Sequence, residues 1–220
     1  KKKKNISDNY QILKRCDVIL ICLPTPLIGL KPDMSYIFKC AKKLRKNLKP
    51  NHVVILESTV YPGATLEFAK KLNTRKFTIG EDLFLGYSPE RENPGDKNFS
   101  YKTTPKVISG FSKKCLKLVN LIYSHIVRNR VIANEIDAAE LSKLLENMYR
   151  SVNIGLVNEL KIICDKLNID IFDVIELAST KNFGFQKFLP GPGLGGHCIP
   201  IDPFYLSWIS EKKGYKPKFI

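Results

Sequence analysis

A cysteine and a carboxylate lie close together at the end of a glycine-rich stretch near residue 200. Cys198 follows the sequence Gly-Pro-Gly-Leu-Gly-Gly-His of residues 191–197, and Asp202 comes four residues later. Glycine lets the backbone take positive φ angles and approach a ligand closely. A thiol on such a loop can act as a nucleophile, and a nearby acid–base group can manage its protons. A core cysteine beside a turn is the structural alternative, because free cysteine is among the most buried residue types.

Polar residues also recur along one face of a predicted long helix. Glu140, Lys143, Asn147 and Arg150 follow at spacings of three, four and three residues. This spacing aligns them on a helix. A lysine and an asparagine one turn apart can bind an oxyanion or hydroxyl groups, and asparagine is an unusual residue for a solvated position in mid-helix. A solvated surface stripe is the structural alternative.

Two loops add further polar groups after predicted buried strands. Glu57-Ser-Thr59 precedes a Pro-Gly helix start, where a hydroxyl can meet a ligand near the positive end of a helix. Residues 88–95 read Ser-Pro-Glu-Arg-Glu-Asn-Pro-Gly and concentrate charge in a rigid loop. A capped turn is the structural alternative for each loop.

Apolar runs alternate with helical patterns in the first part of the chain. They predict strands at 17–23, 53–56, 84–87 and 106–109, with helices over 35–48, 61–71 and 112–124. This alternation is typical of a parallel α/β sheet, which binds ligands at the carboxyl ends of its strands. Helical patterns alone follow, over 137–167 and 171–179, and predict a second, helical domain.

Composition narrows the class of protein. The 220 residues include six cysteines without a CxxC pair and three widely separated histidines, so the spacing predicts free thiols, a cytoplasmic location and no metal site. The longest apolar run has six residues, too short to cross a membrane, and no signal peptide is recognisable. The net charge of +15 would suit nucleic acid, but the lysines are spread over helices without an array of basic and aromatic residues. We therefore expect no nucleic-acid and no membrane partner.

Six segments together resemble the UDP-glucose/GDP-mannose dehydrogenase family and occur in the family's order. They are Leu23–Pro26, Glu57–Gly63, Tyr87–Gly95, Pro105–Gly110, Lys143–Asn147 and Gly191–Pro203. The loop at Tyr87–Gly95 and the cysteine segment are most similar to the branch that oxidises UDP-N-acetylhexosamines, above all UDP-N-acetylglucosamine. UDP-N-acetylmannosamine, UDP-N-acetylgalactosamine and UDP-glucose stay open as substrates.

The resemblance implies an NAD-dependent, four-electron oxidation of the sugar C6 alcohol to a carboxylate, which supplies precursors of surface polysaccharides. Cys198 would be the covalent nucleophile, and Lys143 with Asn147 would stabilise oxyanions. Asp202 would assist proton transfer, while Glu90 and Thr59 would position or activate water.

The resemblance also assigns binding residues and an architecture. The expected cofactor-binding residues are Pro24, Thr25, Ser58 and Thr59. The expected substrate-binding residues are Glu90, Arg91, Lys143, Asn147, Arg150, Leu189, Gly193 and Gly195. The implied fold is a partial Rossmann-type parallel sheet over residues 1–130 and a helical central domain over 131–220, joined by a long helix through which the protein forms a homodimer.

One departure from the family concerns the phosphate loop. The family begins with a strand and a GxGxxG motif, in which glycines and a helix N-terminus hold the pyrophosphate, and this chain has no such motif. We expect the chain to be the middle of a longer protein and to be inactive alone. An inactive relative that serves in assembly and a basic nucleic-acid-binding module are the non-enzyme alternatives.

Overall fold

The computed structural model describes residues 6–72, 76–91, 103–196 and 199–220. These form two compact units, Lys1–Lys143 and Leu144–Ile220. The boundary expected after residue 130 falls at a short strand, and the assignment of domains by function stays a prediction.

The first unit contains a sheet with helices. After a 3-10 turn at Tyr10–Arg15, the elements in chain order are β1 (Val18–Ile21), β2 (Leu27–Ile28), β3 (Lys31–Pro32), α1 (Ser35–Leu44), β4 (His52–Leu56), α2 (Ala64–Leu72), β5 (Leu83–Tyr87), β6 (Lys106–Gly110), α3 (Lys113–Ser124), β7 (Arg130–Ile132) and the start of α4 (Ile136–Leu167). Strands β2 and β3 form a separate two-stranded antiparallel pair.

The main sheet has the order β1-β4-β5-β6-β7. Pairing is parallel between β1 and β4, β4 and β5, and β6 and β7. Strands β4 and β5 are buried along their whole length, as expected for central strands covered on both faces. The mixed α/β fold with a sheet of mainly parallel strands is therefore confirmed.

Helix α3 covers one face of this sheet. Its residues Cys115, Val119 and Tyr123 join one apolar cluster with Val53 and Ile55 of β4. Because side chains alternate along a strand, the neighbouring residues of β4 face the other side. Helices α1 and α2 pack against each other, and α2 also contacts β5. Gly110 permits the close approach of α3, since a Cβ there would lie 2.3 Å from the Leu116 nitrogen. Helix α3 thereby holds the central strands of the sheet in place.

The structure differs from the sequence expectations in several elements. Helix α1 ends at Leu44 instead of residue 48, and the Asn47 side chain donates to the Lys43 carbonyl. Strand β6 runs antiparallel to β5, and β7 was not predicted. The helix α6 (Asp202–Lys212) was also missed, although a proline lies in its first turn, a favourable position.

The second unit is helical. It contains α4 from Leu144 onward, α5 (Ile171–Ser179) and α6. Val157 and Cys164 of α4 pack with Ile171 and Ile175 of α5, and Phe188 of the following segment joins this cluster. The predicted helices 137–167 and 171–179 match the observed α4 and α5 within one residue.

Candidate active site

The carboxyl ends of β1 and β4 are tied together by crossed hydrogen bonds. The Ser58 hydroxyl accepts from the Leu23 amide at 2.8 Å and lies 2.7 Å from the Leu23 carbonyl. The Thr25 hydroxyl donates to the Thr59 carbonyl at 2.8 Å. These bonds bring Pro24, Thr25, Ser58 and Thr59 to one edge, where parallel α/β sheets bind ligands.

This edge presents two threonine hydroxyls and a proline ring. Thr25 and Thr59 are partly exposed and Pro24 is exposed, and their role in holding the cofactor stays a prediction. Ser58 is buried, and its hydroxyl is engaged with the backbone of Leu23. We infer that Ser58 shapes the loop that the other residues present, while its role as a cofactor ligand stays a prediction.

The N-terminus of α2 is occupied by a side chain. The two oxygens of Glu140 accept from the Gly63 amide at 2.6 Å and from the Thr65 amide at 2.7 Å. Glu140 is fully buried, so it satisfies two amides of the first turn that lack helical partners. It therefore caps α2 with a buried carboxyl group, a role that the sequence did not predict.

Burial raises the pKa of Glu140 to about 7, against an ordinary value of 4.5, although the hydrogen bonds from Thr65 and Gly63 oppose the shift. Between these values the folded chain retains a proton that the unfolded chain has lost. The stability that Glu140 contributes is therefore fully present below pH 4.5 and falls as the pH rises to about 7. At 1.36 kcal/mol per pKa unit, the fall is roughly 3 kcal/mol.

Glu140→Gln is expected to remove this pH dependence. Urea unfolding at pH 4.5, 6 and 7.5 measures it: the unfolding free energy of wild type minus that of the variant should decrease by roughly 3 kcal/mol with rising pH. Glu81→Gln, which removes an exposed carboxylate, should show the same dependence of unfolding free energy on pH as wild type. Parallel profiles for wild type and Glu140→Gln would exclude a buried titrating carboxyl.

The charged loop after β5 brings Glu90 and Arg91 to the ends of β4 and β6. The Glu90 amide donates to the Glu57 carbonyl at 3.4 Å, and the Glu90 carboxylate accepts from the Lys106 ammonium at 3.0 Å. The Arg91 guanidinium donates to the Pro105 carbonyl at 3.3 Å. Residues 92–95 of this loop lie outside the described residues.

A second thiol, Cys22, lies at the end of β1 near this loop. It donates to the Glu57 carboxylate at 3.2 Å. Partial burial, followed by the hydrogen bond to Glu57, raises the pKa of Cys22 to about 12. Because the thiolate is the reactive form, Cys22 is a poor nucleophile at neutral pH.

In the second unit, Asn147 and Asp202 meet as a buried pair. The Asn147 amide nitrogen lies 2.5 Å from a carboxylate oxygen of Asp202, and both residues are buried. Asn147 comes from the middle of α4, and Asp202 is the first residue of α6. The structure thus joins two predicted site residues that are separated by 55 positions.

The glycine-rich loop is anchored on α4 by an asparagine. The Asn158 side chain accepts from the Gly191 amide at 2.8 Å and donates to the Gly193 carbonyl at 3.3 Å. Gly195 has φ of +69°, a left-handed conformation that favours glycine. Leu189, Gly193 and Gly195 are exposed, so the loop presents its main chain to solvent.

Three predicted residues remain to be placed. Lys143 is half-buried on α4, at the end of the first unit, and Arg150 is exposed on the same helix. Cys198 lies outside the described residues, so its nucleophilic role stays a prediction.

Sequence reasoning missed Asn158, although a signal was present. Asn158 lies eleven residues after Asn147, about three helical turns, and so continues the same face of α4. Lys106 was also missed, because a lysine at the start of a strand is ordinary in sequence. In the described part of the chain, no helix is long and apolar enough to cross a membrane.

Two sequence profiles of one family together match most of the chain. Residues 2–127 match the NAD binding domain of the UDP-glucose/GDP-mannose dehydrogenase family, and residues 137–220 match its central domain. NAD is thus the cofactor of the domain to which the first part of the chain corresponds.

Individual proteins agree with these profiles. Protein CapL of Staphylococcus aureus is 42% identical over 97% of this chain and 51% of its own length. UDP-N-acetyl-D-glucosamine 6-dehydrogenase of Pseudomonas aeruginosa is 41% identical over 96% of this chain and 51% of its own length. The chain spans about half the length of the curated relatives it matches.

A solved structure supports the same relationship. The UDP-D-ManNAc dehydrogenase of Pyrococcus horikoshii superposes with a TM-score of 0.85 at 34% identity, over 90% of this chain and 48% of that one. Sequence profiles, relatives and fold therefore agree that this chain belongs to the UDP-glucose/GDP-mannose dehydrogenase family.

Proposed function

We propose that the protein carrying this chain oxidises the C6 alcohol of UDP-N-acetylglucosamine to a carboxylate in two NAD-dependent steps. The observation that carries the proposal is the buried Asn147–Asp202 pair, which accompanies an anchored glycine loop that leads to Cys198. The 41% identity to a UDP-N-acetyl-D-glucosamine 6-dehydrogenase over nearly the whole chain supports this choice of sugar.

Cys198 carries out the covalent steps of the proposed reaction. Pro24, Thr25 and Thr59 would hold NAD, which would supply the hydride acceptor for each of the two oxidations. The Cys198 sulfur adds to the aldehyde carbon to give a thiohemiacetal, which is oxidised to a thioester. Water then adds to the acyl carbon, the C–S bond breaks, and the thiol regains its proton. Covalent capture divides a difficult oxidation into easier steps.

The remaining residues serve these steps. Lys143 and Asn147 stabilise the oxyanions, because preorganised donors act strongly in a site that excludes water. Asp202, which is buried against Asn147, handles the proton of the thiol. Glu90 and Thr59 position the attacking water, and Arg91 and Arg150 bind the anionic nucleotide. Leu189, Gly193 and Gly195 surround the sugar with main chain.

The choice of sugar is tested by comparing substrates. NADH formation should be faster with UDP-N-acetylglucosamine than with UDP-glucose at matched concentrations, because the loop at residues 87–95 resembles that of the acetamido-sugar branch. The assay is run on the whole protein that carries this chain. Equal or faster turnover of UDP-glucose would refute the acetamido assignment while leaving the reaction type intact.

UDP-N-acetylmannosamine is a second candidate substrate. It is favoured by the TM-score of 0.85 to a protein named UDP-D-ManNAc dehydrogenase. The same assay with this nucleotide decides between the two, because the sugars differ in the configuration of one acetamido carbon. Faster NADH formation with the mannosamine nucleotide would replace the proposed substrate.

We also propose that the protein is a homodimer through α4. In the second unit, Leu156, Leu160, Ile163 and Leu167 follow at spacings of four, three and four and are all exposed. An apolar stripe with this spacing is suited to packing against another helix. Analytical ultracentrifugation should give a dimer for wild type and a monomer for Ile163→Glu with unchanged helicity. A wild-type monomer at high concentration would exclude the proposal.

A further inference from the structure

We propose that Lys106 is a positioning residue that holds the Glu90 carboxylate in place for the attack of water. This inference rests on the proposed function, in which Glu90 orients water for hydrolysis of the Cys198 thioester. Lys106 is the first residue of β6, in the segment Pro105–Gly110, to which the proposed reaction gives no other role.

The Lys106 ammonium bridges two carboxylates with different surroundings. It lies 3.1 Å from Glu57 and 3.0 Å from Glu90. The side chains of Lys106 and Glu57 are only 10% and 11% exposed, whereas that of Glu90 is 51% exposed. A buried ammonium requires a partner, and Glu57 already supplies one. The charge of the buried lysine is therefore already compensated by Glu57, and the second contact, with Glu90, is not needed for that compensation.

Glu57 is fixed as the inner anchor of this arrangement. One of its oxygens accepts from the Tyr123 hydroxyl and the other accepts from the Cys22 thiol at 3.2 Å. Burial raises the pKa of both groups, with the nearby Glu57 adding to the shift, so each keeps its proton and donates at neutral pH. The ring of Tyr123 also lies 5.5 Å from the Lys106 ammonium. These contacts restrict the lysine, which otherwise has a long and flexible side chain.

Glu90 in turn is oriented at both oxygens. One accepts from Lys106 and the other accepts from the Arg91 amide at 2.7 Å. Because about half of the side chain is exposed, solvent water can reach this carboxylate. In the hydrolysis step the water oxygen bonds to the acyl carbon, the C–S bond breaks, and the proton taken from water returns to the Cys198 sulfur. A carboxylate with a fixed orientation favours this step, because misplacement by about 1 Å can cost about 100-fold in rate.

A double-mutant cycle separates positioning from a purely structural role. Lys106→Met, Glu90→Gln and the double variant are compared by turnover and by intact mass of the protein after addition of substrate. We expect Lys106→Met alone to lower kcat by about 10- to 100-fold with little change in KM, and acyl-Cys198 to accumulate. In the Glu90→Gln background the same substitution should cost less than about 3-fold, because coupled residues are not additive.

Two further variants control for charge and folding. Lys117→Met removes an exposed lysine of α3 and should turn over as wild type. Lys106→Met leaves the buried Glu57 carboxylate without its ammonium partner, and this single variant could unfold for that reason alone. The double variant Lys106→Met/Glu57→Gln removes both buried charges and so tests the role of Lys106 in a folded protein. Slow turnover by the folded double variant supports the positioning role of Lys106, and turnover at the wild-type rate overturns it.

The outcomes separate a failure of the positioning role of Lys106 from a failure of the proposed role of Glu90. Equal losses from Lys106→Met in the wild-type and Glu90→Gln backgrounds, or a loss confined to KM, overturn the inference alone. Normal turnover by Glu90→Gln overturns both the inference and the proposed role of Glu90.

Discussion

Cys198→Ser is expected to abolish net formation of the uronic acid. A serine hydroxyl is a weaker nucleophile than a thiolate and does not form the thioester from which water releases the product. Loss of a covalent nucleophile is expected to lower turnover on the order of 10³-fold or more. The measurement is NADH formed per UDP-N-acetylglucosamine, with intact mass spectrometry of wild type to detect an adduct on Cys198.

Two observations make this experiment selective. Cys16→Ser changes a partly exposed thiol in the first unit and should leave turnover unchanged. Cys22 is not a plausible substitute nucleophile, because its pKa is raised to about 12. Normal product formation by Cys198→Ser, or an adduct on another cysteine, would contradict the covalent role.

The parts of the fold that were predictable from sequence are those with continuous apolar or helical patterns. Strands β4 and β5 are buried runs, and α4 with α5 keeps helical periodicity throughout. Strand β7 has three residues, two of them exposed, so it gives no apolar run. The antiparallel pairing of β5 with β6 depends on the path of the intervening segment, which local periodicity does not encode.

The candidate site also has features that were predictable from local sequence patterns and features that were not. The spacing of Glu140, Lys143 and Asn147 predicted a shared polar face of α4, and the burial of Glu140 and Asn147 contradicts a solvated stripe. The catalytic role of Lys143 and Asn147 stays a prediction. The partners of Glu140 and Asn147 were not predictable, because Glu140 caps a helix more than 70 residues earlier and Asn147 meets Asp202. Such long-range contacts arise from tertiary packing.

Lys143→Ala is expected to slow the chemical steps far more than it destabilises the protein. Removal of one oxyanion donor typically costs on the order of 10²–10³ in rate. The helix itself should persist, since alanine has the highest helix propensity of all residues and Lys143 lies within the 32 residues of α4. Turnover and melting temperature are therefore measured on the same preparations.

A lysine elsewhere on α4 provides the matched control for this experiment. Lys161 forms an exposed pair with Asp165 at 2.9 Å, and such pairs contribute little to stability. Lys161→Ala should therefore retain both turnover and melting temperature, so that any difference from Lys143→Ala reports the position of the ammonium and not the loss of charge from the helix. A large drop in melting temperature for Lys143→Ala, with turnover per folded molecule unchanged, would assign Lys143 a structural role and leave oxyanion stabilisation to Asn147.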